Sequence, residues 1–311
     1  RLRDLCYNER QKNSRLPTGA SCRTSRRRGR RLFVRLGIEG ERQMGKRLLR
    51  IFLVLWLVLL PLLAAGTGDI RARISQDVEQ GPKVRILNYH MVDNRELSLA
   101  VTPKDFERQM VWLKNNGFET ITPAELHAAL TEGAELPAKP VLITFDDGYV
   151  DNYTNAYPIL KKYNLKATIF IVTGFVSKRK GYLTWDQLRE MEQNGITMQS
   201  HTVTHAPLPE LPDDRIREEL VESKKQAEAE LGHPIEFIAY PTGAHDLHIV
   251  GIAKEAGYKG GFTVKYGNVD RSSNIYAMER VPIFRTAATN ADFVDRLRYT
   301  SNITQYGWIR N

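Results

Sequence analysis

Cysteine is all but absent from this 311-residue chain: its two cysteines, Cys6 and Cys22, both precede Met44. Everything after Met44 must therefore fold without disulfides and act without thiolate chemistry, so any metal there needs histidine and carboxylate ligands. A run of roughly 20 apolar residues, the length that comfortably spans a bilayer, is also lacking. The longest apolar stretch, residues 51–63, is shorter and is interrupted by Pro61. Internal repeats and Pro-rich or Gly/Ser-rich tracts are missing, which sets aside repeat and low-complexity classes.

Basic charge is scarce where a nucleic-acid-binding domain would carry it. Residues 1–50 hold 16 Lys/Arg against 4 Asp/Glu, so the net +9 of the whole chain leaves −3 from Ile51 onward. A phosphate-binding fold carries its cations on the folded part, and no nucleic-acid partner is expected. The densest basic run, Arg26-Arg27-Arg28-Gly29-Arg30-Arg31, lies in residues 1–43, which read as a segment upstream of the natural start. From Met44 the pattern is that of an export signal. Lys46, Arg47 and Arg50 form a positive flank, residues 51–63 an apolar stretch, and Ala64-Ala65-Gly66 a small-residue cleavage region. Residues 44–66 are thus expected to be a signal peptide or N-terminal anchor, with residues 48–66 the candidate for membrane association. The chain beyond Gly66 is expected to be exported, to the periplasm, cell surface or exterior. Residues 67–82 are polar and aperiodic and read as a linker, and residues 83–311 as the folded domain.

Within that domain, short β-rich apolar runs alternate with amphipathic stretches, the pattern of parallel βα units. Residues 84–89, 141–145, 168–172, 197–200 and 237–240 read as strands. Helix starts are marked by Thr102-Pro103-Lys104-Asp105, Thr122-Pro123-Ala124-Glu125 and Thr184-Trp185-Asp186-Gln187. Each places a capping threonine before a favourable first turn, and the helices are punctuated by Gly117, Gly133 and Gly195. Further helices are expected at 152–163, 213–231, 247–256 and 291–299. An open doubly wound sheet would carry a glycine fingerprint after its first strand. The first strand here runs instead into Asn88-Tyr89-His90, so a distorted (β/α) barrel with fewer than eight regular units is the better reading.

In such folds the site lies at the carboxyl ends of the strands. Polar residues follow apolar runs at Asn88-Tyr89-His90, Thr144-Phe145-Asp146-Asp147-Gly148, Ser200-His201-Thr202-Val203-Thr204-His205 and Tyr240-Pro241-Thr242-Gly243. Adjacent residues at a strand end point to different sides, so one of Asp146 and Asp147 can bind a cation while the other faces a water. His201 and His205 are spaced to share one helical face, although the β-branched residues between them suit a strand-end loop equally. Two imidazoles and one carboxylate leave an open coordination position, as in a catalytic zinc site.

The Thr144–Gly148 and Ser200–His205 segments resemble the first two motifs of the NodB-type polysaccharide deacetylases, and Ile238-Ala239-Tyr240-Pro241-Thr242-Gly243 is similar to the third. The resemblance spans roughly residues 83–284. It implies hydrolysis of N-acetyl groups on a polysaccharide, with Asp146 as base and Asp147, His201 and His205 holding a divalent metal, zinc first and Co²⁺, Ni²⁺ or Fe²⁺ as substitutes. Thr242 would supply an oxyanion N–H, with Pro241, Tyr240 and Tyr149 beside the substrate.

Two features depart from the pattern. The third motif has Ala239 and Tyr240 where an arginine is common, so the residue that orients the base must come from elsewhere; Arg280 and Arg285 are candidates. No histidine follows His248, so the usual late general acid is absent. His90 is its candidate replacement, because Leu87-Asn88-Tyr89-His90-Met91-Val92 resembles the first-strand motif of the poly-N-acetylglucosamine deacetylases. That resemblance favours a β-1,6-linked exopolysaccharide. A peptidoglycan or chitooligosaccharide deacetylase, a cyclic-imide amidohydrolase and a catalytically silent carbohydrate-binding protein are the alternatives. Tyr153 and Trp185 are further aromatic candidates for sugar contact, with packing the expected role of Trp185. His245 and His248 are candidate cleft residues, with a surface-helix position the expected reading for both, while His127 and His233 read as surface positions.

Overall fold

Period-2 alternation along each strand decides what this domain can bury and where. The computed structural model describes residues 83–298; the readings made for residues 1–82 lie outside them. The strands are β1 (Arg85–Tyr89), β2 (Met91–Val92), β3 (Ala100–Val101), β4 (Glu119–Thr120), β5 (Pro140–Asp147), β6 (Ala167–Ile171), β7 (Ile196–Ser200), β8 (Phe237–Ala239), β9 (Gly260–Tyr266) and β10 (Met278–Pro282). Seven of them run β1-β10-β9-β8-β7-β6-β5, and β1 pairs in turn with β5, so a parallel barrel closes. The closing register runs from Arg85 opposite Val141 to Tyr89 opposite Phe145. Strand β4 extends β5 outside the ring, and β2 pairs with β3 apart from it. The barrel therefore has fewer than eight units, as the sequence pattern implies.

Among the described residues, seven α-helices accompany the strands: α1 (Pro103–Asn115), α2 (Pro123–Thr131), α3 (Tyr157–Tyr163), α4 (Trp185–Glu192), α5 (Asp213–Leu231), α6 (Leu247–Glu255) and α7 (Thr289–Arg298). Thr102, Thr122 and Thr184 cap α1, α2 and α4, and the last two form complete capping boxes with Glu125 and Gln187. Each cap satisfies first-turn N–H groups that the helix cannot satisfy itself. The stretch 152–163, expected to be one regular helix, instead opens with a π-type turn at Asn152–Ala156. The reason is local: the Asn152 and Asn155 amides donate to the carbonyls of His90 and Val92, drawing this turn onto β2 and the residue before it. Strands β9 and β10 are not evident from apolar patterning and complete the barrel wall.

Leu87, Tyr89, Ile143, Phe145, Ile169 and Ile171 face outward and pack with the helices. Their alternates Ile86, Leu142, Phe170, Phe262 and Met278 fill the interior. Towards the carboxyl ends the interior positions turn polar: Asn88 follows Ile86, Thr144 and Asp146 follow Leu142, and Arg280 follows Met278, all buried. Each fully buried Leu, Ile or Phe contributes about 1.5–3 kcal/mol. The lower barrel thus stabilises the fold, while its upper end holds polar groups that only mutual pairing can sustain. Among the described residues, no helix is long and apolar enough to cross a membrane.

Candidate active site and metal centre

Asp146 and Asp147 end β5 and part company there. Asp146 keeps the strand conformation and points into the barrel with Leu142 and Thr144, whereas Asp147 takes φ 75° and Gly148 φ 76°. A positive φ costs an L-residue of order 1–3 kcal/mol, and it persists only where the surroundings impose it. Here it turns the second carboxylate away from the outer face, where alternation would have put it. Among the described residues, four of the six non-glycine residues with positive φ, namely Asp147, Thr202, His205 and Thr242, lie in the segments singled out from sequence. Backbone strain is therefore concentrated at this end of the barrel.

His201 and His205 lie on the loop after β7, not on a helix. The Asp147 Oδ1 atom is 3.5 Å from His201 Nε2 and 3.3 Å from His205 Nε2. One ligand atom from each residue lies within 4.8 Å of the others. Ligands about 2.0–2.1 Å from a tetrahedral zinc ion stand about 3.4 Å apart, close to the two separations observed. The donor chemistry fits as well. His201 Nδ1 lies 2.7 Å from the Ala239 carbonyl, and donating its N–H there leaves the Nε2 lone pair facing Asp147. Burial alone would lower the His201 pKa, but the Asp147 and Asp146 carboxylates outweigh it and the net shift is upward. His205 is shifted downward by burial and by the neighbouring His201. The two imidazoles therefore differ, His201 being drawn towards its charged form and His205 towards its neutral form.

Asp146 is held from the other side. Arg280 Nη1 donates to its Oδ1 at 2.8 Å, Arg280 Nη2 to its Oδ2 at 2.7 Å, and Asn88 Nδ2 to the same Oδ2 at 2.8 Å. The guanidinium has no exposed surface and also donates to the Thr263 carbonyl and to Thr144 Oγ1. Burial would raise the Asp146 carboxyl; Arg280 foremost, and then His201, overturn this and hold it well below the usual carboxylate range. Of the two arginines considered, the structure brings only Arg280 to Asp146. Arg285 is corrected: its guanidinium donates to the carbonyls of Asn94 and Arg95 on the loop after β2. Sequence reasoning misses Asn88 as a partner of Asp146, although its place two residues beyond the inward-facing Ile86 is a readable signal.

His90 follows β1, and its imidazole is coupled electrostatically to Asp146, Asp147, Arg280 and His201. Burial lowers its pKa despite the two carboxylates, and its Nδ1 is buried without a hydrogen-bond partner. The Tyr149 hydroxyl interacts with Asp147 and Tyr182, and burial together with the Asp147 charge pushes its pKa up. Thr242 is exposed at φ 57° in the short turn Pro241–Gly243. Tyr240 is corrected: it has no exposed surface and its hydroxyl donates to the Tyr276 carbonyl. Alternation explains this, since Ala239 faces the interior and Tyr240 falls among the helices. Pro241 is buried in the same turn. Tyr153 donates to Glu190 and Trp185 packs on the helix layer, so neither joins Asp147. His233 lies 2.8 Å from Glu192, His248 lies 2.8 Å from Asp213, His245 stacks on Tyr240, and His127 packs against Phe237.

Known proteins sharpen this picture. The family model described as polysaccharide deacetylase matches residues 133–261. The Bacillus subtilis protein YxkH, assigned to polysaccharide deacetylases by its name, is 40% identical over 205 residues, covering 66% of this chain and 73% of its own length. A Staphylococcus aureus poly-β-1,6-N-acetyl-D-glucosamine N-deacetylase is 29% identical over 270 residues, covering 75% of this chain and 92% of that protein. Among solved structures, the Streptococcus pyogenes deacetylase PplD in complex with acetate superposes with a TM-score of 0.66 at 31% identity, over 69% of this chain and 98% of that one. The closed barrel, the paired strand-end carboxylates and these likenesses agree: this chain belongs to the polysaccharide deacetylase family, hydrolases of carbon–nitrogen bonds other than peptide bonds.

Proposed function

We propose that the protein removes N-acetyl groups from an exported N-acetylglucosamine polymer, with a divalent metal, zinc by preference, held by Asp147, His201 and His205. The observation that carries this is the juxtaposition of two differently held carboxylates. Asp146 is fixed by Arg280 and Asn88, and Asp147 stands against two imidazoles. A cation held there supplies Lewis acidity, polarising an acetamide carbonyl and acidifying water enough for a weak base to take its proton. Asp146, kept ionised by Arg280, is that base and receives the proton as the water oxygen bonds to the acetyl carbon. The Thr242 N–H donates to the developing oxyanion. His90, which must carry its proton into this step despite the burial that lowers its pKa, gives it to the nitrogen as the C–N bond breaks, so that acetate and a free amine leave.

The choice of polymer rests on two supports. His90 stands at the end of the first strand, and the S. aureus relative, whose name gives poly-β-1,6-N-acetylglucosamine as its substrate, aligns over most of its length. Both favour a β-1,6-linked exopolysaccharide, and the export-signal pattern of residues 44–66 is in keeping with a polymer outside the cell. The test is acetate release from β-1,6 and β-1,4 N-acetylglucosamine oligomers in parallel, with and without Zn²⁺, beside Asp146→Asn. The expected outcome is Zn²⁺-dependent release, faster on the β-1,6 series and at least about 10³-fold lower in the variant, on the order of losses at catalytic groups. Faster release from β-1,4 oligomers would overturn the polymer assignment. Release from neither series, with metal bound, would point to another acyl substrate.

A further inference from the structure

Glu219 lies in the middle of α5, far from the strand ends in sequence, yet it is only 2% exposed. Its Oε2 accepts the backbone N–H of Val203 at 2.8 Å and of Thr204 at 2.8 Å, and its Oε1 accepts the Thr204 hydroxyl at 2.6 Å. The loop so gripped carries both imidazoles. From the opposite side, the N–H groups of Thr173 and Gly174 donate to the carbonyls of Thr202 and Val203. Gly174 permits that approach, since a Cβ there would stand 2.4 Å from the Val203 oxygen. The loop holds two residues at positive φ, Thr202 at 65° and His205 at 63°, a conformation its own sequence would not choose. The two imidazoles differ in what else orients them. His201 is buried and tied to Ala239, whereas the His205 side chain is 32% exposed, and among the described residues no second hydrogen bond fixes its ring.

We infer that Glu219 is the positioning residue for His205: its carboxylate holds the strained 202–205 backbone so that His205 Nε2 faces Asp147. This rests on the reading of Asp147, His201 and His205 as metal ligands. Carboxylates that orient a ligand through hydrogen bonds typically account for about 10- to 100-fold in metal affinity. A glutamine can present one oxygen to both backbone N–H groups and its amide to the Thr204 hydroxyl, which then accepts, so Glu219→Gln should keep most of the effect. An alanine presents nothing.

The experiment measures Zn²⁺ affinity of the full chain by competition with a chromophoric chelator, in the wild type, Glu219→Ala, Glu219→Gln and Thr204→Val. The metal-free thermal midpoint of each is recorded beside it. We expect Kd to rise about 10- to 100-fold in Glu219→Ala. It should rise within about threefold in Glu219→Gln and by an intermediate factor in Thr204→Val, with excess Zn²⁺ restoring much of the lost turnover. Unchanged affinity in Glu219→Ala, with only the thermal midpoint lowered, would reduce Glu219 to a fold-stabilising contact and overturn the inference. Should Glu219→Ala fail to fold, unchanged affinity in Thr204→Val overturns it and weakened affinity supports it. A wild-type chain that binds no Zn²⁺ would overturn the ligand reading and this inference together.

Discussion

Asp146 and Asp147 are the same residue type, one position apart, at the end of one strand, and the molecule treats them oppositely. Asp146 stays in strand geometry, is 2% exposed and has both oxygens engaged by Arg280 and Asn88. Asp147 leaves strand geometry at φ 75° and presents Oδ1 to two histidine nitrogens. The difference teaches that the division of labour is made by backbone and partners, not by residue identity. A carboxylate locked to an arginine is a fixed negative charge with defined direction; a carboxylate facing two imidazoles keeps an oxygen available to a further partner.

The largest expected effect comes from removing the partner that defines the first of the pair. Arg280→Met leaves the buried Asp146 charge with Asn88 alone, and breaking a buried ion pair on one side costs about 3–5 kcal/mol. For a domain of this size that is on the order of a 10 °C fall in Tm, together with loss of turnover. The double variant Asp146→Asn/Arg280→Met should regain much of the Tm while remaining inactive, because no uncompensated charge is left. Thermal unfolding of the two single variants and the double variant checks this. Additive losses would mean that the two groups are not coupled and that the contrast between the carboxylates is misdrawn.

A smaller effect separates the pair by pH. Asp146 has its folded pKa depressed, so the stability it contributes is present above its unfolded value, about 3.9, and is lost as pH falls through the lower folded value. Asp146→Asn removes that proton linkage. The Tm gap between wild type and Asp146→Asn should therefore be constant from about pH 7 to about pH 4.5 and narrow below about pH 4. A gap that widened on acidification would contradict the sign of the shift.

Much of this site is readable in the sequence because its residues sit where strand ends must be. The five strands read from sequence, and the threonine caps of α1, α2 and α4, are local features that the fold leaves intact. Strands β9 and β10 are obscured by their own function in the barrel. Strand β9 opens on Gly260-Gly261, where a Cβ on Gly261 would meet the Tyr240 ring, and β10 carries Glu279 and Arg280 in what would otherwise be an apolar run. Arg280 is buried only because Asp146, 134 positions away, receives it, and no local pattern encodes that. Glu219 is hidden differently, in the charged run Arg217-Glu218-Glu219 that reads as a solvated face. Its helical period is the clue, since Ile216, Leu220, Ser223 and Ala227 are buried on the same side. Tyr240 shows the converse: a residue in the right motif on the wrong side of the pleat.

The finest discrimination concerns what besides the histidines holds Asp147. The Tyr149 phenol lies within electrostatic reach of Asp147 and Tyr182, and burial foremost, with the Asp147 charge, raises its pKa and keeps it protonated. Its ring also packs against Tyr182, with centroids 5.1 Å apart and the planes tilted by 32°. Tyr149→Phe deletes the donor and keeps the ring, whereas Tyr149→Ala deletes both. If the hydroxyl steadies the second carboxylate, Tyr149→Phe should weaken Zn²⁺ binding by about 2- to 10-fold, the equivalent of one ordinary hydrogen bond, with KM nearly unchanged. If the ring also supports a sugar, Tyr149→Ala should add a rise in KM that Tyr149→Phe does not show. Equal Zn²⁺ affinity in wild type and Tyr149→Phe would leave Asp147 held by His201 and His205 alone. The contrast with Asp146, which has two neutral or cationic donors of its own, would then be sharper still.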